Sequence, residues 1–179
     1  ASYEDAVAAG QIRLIGDDVV KAFLSEVEKQ QVTPGICRQI PLHVIYTPLN
    51  GTGNRPVREI LDRIGVHVQV VPEQELPDGH FPTCPYPNPE IRQVFEKALD
   101  MAKETQPDLL LATDPDCDRV GIAVRDNGKY TLMSGNEVGC LLLNYLLSRR
   151  QAENTLPDQP MIVKTIVTSD LAARIAQKY

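Results

Sequence analysis

The chain has 179 residues, with 18 Lys+Arg against 24 Asp+Glu for a net charge of -6, 42% hydrophobic residues and 23% charged ones. Such a chain can bury a core, which excludes intrinsic disorder as its main description, and its acidic balance argues against a general nucleic-acid partner. No apolar run approaches the ~20 residues that cross a bilayer, and Ala1-Ser2-Tyr3-Glu4-Asp5 has neither the basic nor the apolar stretch of a signal peptide, so no membrane partner is expected.

Helical and strand patterns alternate along the chain. Asp17 is placed to cap a helix with Val20, Phe23, Leu24 and Val27 on its inner face, broken by Pro34-Gly35. His43-Val44-Ile45-Tyr46 reads as a buried strand. A loop, Thr47 to Gly53, leads into a helix with Pro56 in its first turn, Val57, Ile60, Leu61 and Ile64 inward, and Gly65 as its stop. Val66 to Val71 is a second strand. Residues 73–90 carry Pro77, Pro82, Pro85, Pro87 and Gly79 with little periodicity, a length of irregular chain that is often functional. Asn88-Pro89 is expected to open a helix with Ile91, Val94, Phe95, Ala98 and Ala102 inward. Leu109 to Ala112 is a third strand, apolar enough to be covered on both faces, and Val120–Arg125, Asp126-Asn127-Gly128 and Lys129–Met133 form a β-hairpin.

At Ser134 the pattern changes. Ser134 and Glu137 make an S-x-x-E capping box for a helix with Val138, Leu141, Leu142, Tyr145 and Leu146 on one face. A polar linker precedes a strand over Met161–Val167, and a last helix begins near Ser169-Asp170. The fold class expected is α/β, a layered and mostly parallel sheet flanked by helices with the hairpin as an antiparallel edge. The division expected is 1–133 for the first domain and 134–179 for the opening of a second. The absence of an initial Met and the end within a helical pattern suggest a piece of a longer protein.

The segment that carries chemistry is Asp114-Pro115-Asp116-Cys117-Asp118-Arg119, directly after the third strand. Three carboxylates so close repel one another unless a cation lies between them. Alternate residues of an extended segment point the same way, and an all-oxygen donor set suits Mg²⁺ or Mn²⁺. An EF-hand is excluded, because its loop positions six and twelve, Gly and Glu, are here Arg119 and Arg125. An aspartyl-phosphate enzyme with Asp114 as nucleophile has the same local pattern, and a solvated acidic turn is the bland alternative. Arg119 either pairs with a neighbouring carboxylate or offers its guanidinium to a phosphate beside the ion. Asn50-Gly51-Thr52-Gly53, between a strand and a helix, fits an anion site as well as it fits a tight β–α turn. Cys37, Cys84, Cys117 and Cys140 form no C-x-x-C pair and read as reduced cytoplasmic thiols, His43, His67 and His80 show no ligand spacing, and Ser134 and Ser169 read as helix caps.

These segments together resemble the α-D-phosphohexomutases, the phosphoglucomutase/phosphomannomutase family. Asp114–Arg119 is similar to that family's D-G-D-x-D-R magnesium loop, with Pro115 as in the branch of bacterial phosphoglucomutases and phosphopentomutases. Thr47–Gly53 resembles the T-P-x-H-G-x-G segment of that branch, and Pro87–Glu90, Ser134–Glu137 and Val163–Val167 are similar to further family segments in the same order. The resemblance implies the second domain of a four-domain enzyme and the start of the third. It implies one Mg²⁺ on Asp114, Asp116 and Asp118, Arg119 as charge partner near a phosphoserine of another domain, and a sugar phosphate as substrate, interconverted between 1- and 6-phosphate through a bisphosphate. Asn50 stands where the branch usually has His, and Cys117 replaces a small residue. No Ser of this chain is followed by His-Asn-Pro, as the family's phosphoserine is, so the chain alone is expected to be inactive.

Overall fold

The computed structural model describes residues 2–179, which divide into two compact units, one ending at Gln31 and one running from Val32 to Tyr179. The first holds two helices. α1 (Tyr3–Ala8) starts on a capping box between Ser2 and Asp5, and α2 is Asp17–Glu28. Asp17 is the first residue of α2 rather than its cap: Gly16 takes that place and offers no side-chain acceptor. Of the four residues expected to face inward, Leu24 is buried, whereas Phe23 is 61% exposed. Helical spacing sets which residues share a face; it does not supply a partner for that face.

The second unit is built on a five-stranded sheet of β1 (His43–Thr47), β2 (His67–Val70), β3 (Leu109–Thr113), β4 (Val120–Asp126) and β5 (Lys129–Met133), in the order β2-β1-β3-β4-β5. β1 pairs in parallel with both β2 and β3, while β4 runs antiparallel to β3 and β5. Four of the five strands therefore point one way and only β4 is reversed, which gives the α/β class expected, with the hairpin as its antiparallel edge. β1 is buried from Val44 to Thr47, as a strand covered on both faces must be.

Short α3 (Ile36–Gln39) precedes β1. α4 (Asn54–Ile64) links β1 to β2 and ends on Gly65, whose φ of 89° a residue with a Cβ adopts only at a cost. α5 (Pro72–Glu75), a 3-10 turn (Arg92–Phe95) and α6 (Glu96–Thr105) lie between β2 and β3. The helix expected from Asn88 thus begins several residues later. The Asn88 side chain instead accepts from the Glu90 backbone N–H, closing a local turn that competes with the helix. Ile45, Val71, Val94, Phe95, Ala98, Leu110 and Ala112 form the centre of the core between this segment and the sheet.

α7 (Gly135–Ala152) starts on the expected capping box, and α8 (Asp170–Lys178) is capped by Ser169, whose backbone N–H donates to Asn136 Oδ1 at 2.7 Å. α7 buries Cys140 and Leu147, not the expected face, and Leu141, Leu142 and Tyr145 remain exposed. The strand expected over Met161–Val167 does not form. Its apolar residues have no neighbouring strand among the described residues, and Ile166 is 98% exposed. An unpaired strand leaves its backbone groups to water and has no ladder to hold it.

One close approach ties the proline-rich segment to the sheet. A Cβ on Gly121 would fall 1.9 Å from the carbonyl oxygen of Pro89. Gly121→Ala is accordingly expected to destabilise the second unit by about 1–3 kcal/mol, because a backbone carbonyl cannot rotate away as a side chain can. Urea unfolding measures this, and a midpoint equal to that of wild type would contradict it.

Candidate functional site

β1 and β3 are adjacent and parallel, so the loops that follow them emerge side by side. The chain leaves β1 toward one edge of the sheet and reaches the other side of β1 only at β3. A crevice outside strand carboxyl ends at such a reversal is where open α/β sheets bind ligands. The Asn50–Gly53 turn follows β1 and the Asp114–Arg119 loop follows β3. The two loops are in direct contact.

The contact is made through Pro115. Thr52 donates to the Pro115 carbonyl from its backbone N–H (2.8 Å) and from its hydroxyl (3.1 Å). A Cβ on Gly51 would lie 2.3 Å from Pro115 Cα, so only glycine lets the two loops meet this closely. The Asn50 N–H donates to the Gln74 carbonyl and the Gly51 N–H to the Pro48 carbonyl, each at 2.9 Å. Three backbone donors that an anion cradle would need are thus spent on carbonyls. Asn50, with φ 56°, also donates from Nδ2 to the Leu76 carbonyl at 2.9 Å, which ties the 73–78 segment to the turn.

The acidic loop is a turn rather than an extended segment. The Cys117 N–H donates to the Asp114 carbonyl at 3.0 Å, and Cys117 has a left-handed φ of 62°. The chain therefore doubles back, which brings Asp118 toward Asp114. One carboxylate oxygen from each of Asp114, Asp116 and Asp118 lies within 4.8 Å of the others. The convergence expected from alternation is present, but it comes from the fold of the turn.

The three acids have unequal surroundings. Asp114 is buried (1% exposed), and Asp116 and Asp118 are exposed. Arg119 grips Asp114 twice: its backbone N–H donates to Oδ1 at 2.8 Å and its Nε to Oδ2 at 2.9 Å. Burial alone would raise the Asp114 carboxyl. The Arg119 N–H, the Asp118 side chain and the guanidinium charge outweigh it and hold the group below the usual carboxylate range. Asp118 moves the other way, pushed up by its hydrogen bond with Asp114 and by the charges of Asp116 and Asp114. Arg119 Nε is 3.6 Å from Asp118 Oδ1, so a single guanidinium serves two of the three acids. The donor set fits a hard divalent cation: three carboxylate oxygens converge, and each retains a lone pair beyond its hydrogen bonds. A buried Asp114 with both oxygens engaged is poorly exposed as a nucleophile.

The site opens into a cleft of about 540 Å³ bounded by Asp114, Asp116, Arg119, Tyr86, Asn88 and Ile91. The proline-rich segment thus forms one wall, as its irregularity suggested. Sequence reasoning missed the polar residues beneath the loops. Tyr46 Oη and Thr113 Oγ1 are 2.7 Å apart in the buried interior, and Thr47 Oγ1 donates to Gln74 Oε1 at 2.7 Å. The available signal was a polar residue at the carboxyl end of each of two apolar strands.

A crevice at the sheet reversal, with three converging carboxylates and a basic residue beside it, makes this an α/β domain with a candidate site for a divalent cation. Residues 19–128 match the family described as phosphoglucomutase/phosphomannomutase, alpha/beta/alpha domain II, and the chain belongs to that family. It is 33% identical over 190 aligned residues to a probable phosphomannomutase of Haemophilus influenzae, covering 100% of this chain and 37% of that protein. It is 39% identical over 138 residues to a phosphoglucomutase of Staphylococcus aureus, covering 76% of this chain and 24% of that protein. The chain thus spans 24–37% of the length of these curated relatives. Among solved structures, a putative phosphomannomutase of Thermus thermophilus superposes with a TM-score of 0.65 at 20% identity, over 89% of this chain and 34% of that one. A phosphoglucomutase/phosphomannomutase family protein of Burkholderia thailandensis gives 0.60 at 19%, over 74% and 26%. Both likenesses are of fold. Among the described residues no helix is long and apolar enough to cross a membrane.

Proposed function

We propose that this chain is the metal-binding part of a phosphohexomutase that interconverts sugar 1-phosphate and 6-phosphate through a phosphoserine and a bisphosphate intermediate. The observation that carries the proposal is the convergence of Asp114, Asp116 and Asp118 at the carboxyl end of β3 in a chain of this family. In this reading residues 1–133 are the enzyme's second domain and 134–179 begin its third. The remaining domains bring the nucleophilic serine and the sugar-binding loops, so the chain alone does not turn over substrate. Its four free cysteines fit a cytoplasmic setting.

Asp114, Asp116 and Asp118 would hold one Mg²⁺, which when bound neutralises charge on the transferring phosphoryl group. Asp114 is the anchored ligand, kept ionised by Arg119. Asp116 and Asp118 face solvent and can adjust. Arg119 keeps Nη donors beyond the Nε committed to Asp114 and borders the cleft, so it is placed to meet a phosphate there. Gly51 and Thr52 hold the acidic loop at Pro115, and Asn50 holds the cleft wall to the same turn. They support the site mechanically and transfer no proton.

Calorimetric titration of the full-length protein with Mg²⁺ and Mn²⁺ tests the reading, with Asp116→Ala as control. One saturable site, lost in the variant, is expected. No site-specific binding at millimolar metal overturns it.

A further inference from the structure

Thr113 is the last residue of β3 and precedes the first acid of the loop. It is buried, although its hydroxyl is polar. That hydroxyl lies 2.7 Å from Tyr46 Oη, and the Cys117 thiol stands beside the pair. Tyr46 is fully buried in β1, so the Thr113 hydroxyl is the partner its phenol has in place of water. Gly53 closes the arrangement from above. A Cβ there would fall 2.6 Å from Tyr46 Oη, 2.8 Å from Thr113 Oγ1 and 2.9 Å from Cys117 Sγ. Groups from β1, from β3 and from the acidic loop therefore converge on one point under the β1–α4 turn.

Cys117 stands between Asp116 and Asp118, in the left-handed conformation that turns the loop back on itself. Adjacent side chains diverge from the backbone. A group that holds the Cys117 side chain against the strand ends thereby sets the direction of its two neighbours. We infer that Thr113 and Tyr46 are positioning residues of the acidic loop: their hydrogen-bonded pair backs the Cys117 side chain and so fixes where the Asp116 and Asp118 carboxylates stand relative to Asp114. The inference rests on the divalent-cation reading above and adds to it the residues that give the site its shape. Groups that orient ligands without touching the ion are a recurrent feature of metal sites, and losing one typically weakens metal binding by about 10–100-fold.

The test is Mn²⁺ binding to the full-length protein, followed by electron paramagnetic resonance of free and bound ion, for wild type, Thr113→Val, Thr113→Ser and Tyr46→Phe, with thermal unfolding of each. Thr113→Val is expected to weaken Mn²⁺ binding by about tenfold or more and to alter the spectrum of the bound ion. Thr113→Ser, which keeps the hydroxyl, stays close to wild type, and Tyr46→Phe weakens binding in the same direction as the valine variant. A purely structural role would lower the unfolding temperature and leave the affinity and the bound spectrum of the folded protein unchanged. If Thr113→Val and Tyr46→Phe bind Mn²⁺ as wild type does, or if Thr113→Ser loses as much as Thr113→Val, the positioning role is overturned and the cation site stands. If wild type itself binds no Mn²⁺, the cation reading falls and the positioning role falls with it. Should Thr113→Val fail to fold, Tyr46→Phe, which keeps the ring and its packing, decides the matter.

Discussion

If the proposed function holds, Asp116→Ala in the full-length protein is expected to lower phosphomutase turnover by roughly 10²–10³-fold while leaving the metal-free fold as stable as wild type. The two effects have separate causes. In that reading, loss of a ligand would remove charge stabilisation of the phosphoryl group, a transition-state effect of a few kcal/mol. Stability does not follow it down, because Asp116 is exposed and its nearest charges are like ones. The Asp116 charge is among the causes that push the Asp118 carboxyl above its ordinary value. A carboxyl raised in the folded state is less willing to ionise there than in the unfolded chain. That penalty is absent at pH values below the unfolded titration and sets in as pH rises through the folded one. At neutral pH, removal of Asp116 therefore relieves repulsion. Thermal unfolding without metal should show a midpoint equal to wild type or slightly above it. Added Mg²⁺ should raise the midpoint of wild type and not that of the variant. A variant that keeps its turnover, or one that unfolds early without metal, contradicts the assignment.

The largest stability effect is expected at Phe95. It is 1% exposed, at the end of the 3-10 turn that carries the chain into α6, and packs in the cluster with Ile45, Val94, Ala98 and Leu110. Phe95→Ala removes a large side chain from a site whose strands cannot close around the space, at a cost of about 3–5 kcal/mol. Against a total of about 5–15 kcal/mol for a typical domain, this is enough to populate the unfolded state on mild heating. The urea midpoint should fall sharply with little change in slope. Phe23→Ala, of identical chemistry, should cost less than about 0.5 kcal/mol, because Phe23 on α2 is exposed. Equal losses at the two positions would contradict the packing described.

The contrast between the two phenylalanines marks how far periodicity reaches. Apolar spacing assigned both to inner helical faces, and local rules are indifferent to what lies opposite. The same limit explains α7, where Leu141, Leu142 and Tyr145 share a helical stripe yet stay exposed while Cys140 and Leu147 are buried. It also explains Met161–Val167, which is apolar enough for a strand but pairs with none of the described strands. The elements that formed as expected bring their own determinants. Ser134 and Glu137 cap each other, Gly65 tolerates a positive φ, and β1 and β3 are apolar enough to be covered.

Sequence alone determined the alternation of strands and helices, the resemblance to the phosphohexomutases and the three acids with Arg119 beside them, because each is a short-range pattern of residue types. Tertiary structure decided how those acids converge and what holds them. Asp118 returns toward Asp114 through a left-handed Cys117, Thr52 grips Pro115 across 63 positions of sequence, and Thr113 finds Tyr46 across 67. Contacts of that separation depend on the parallel pairing of β1 with β3, a register set by burial over the whole sheet and by no local signal at either strand.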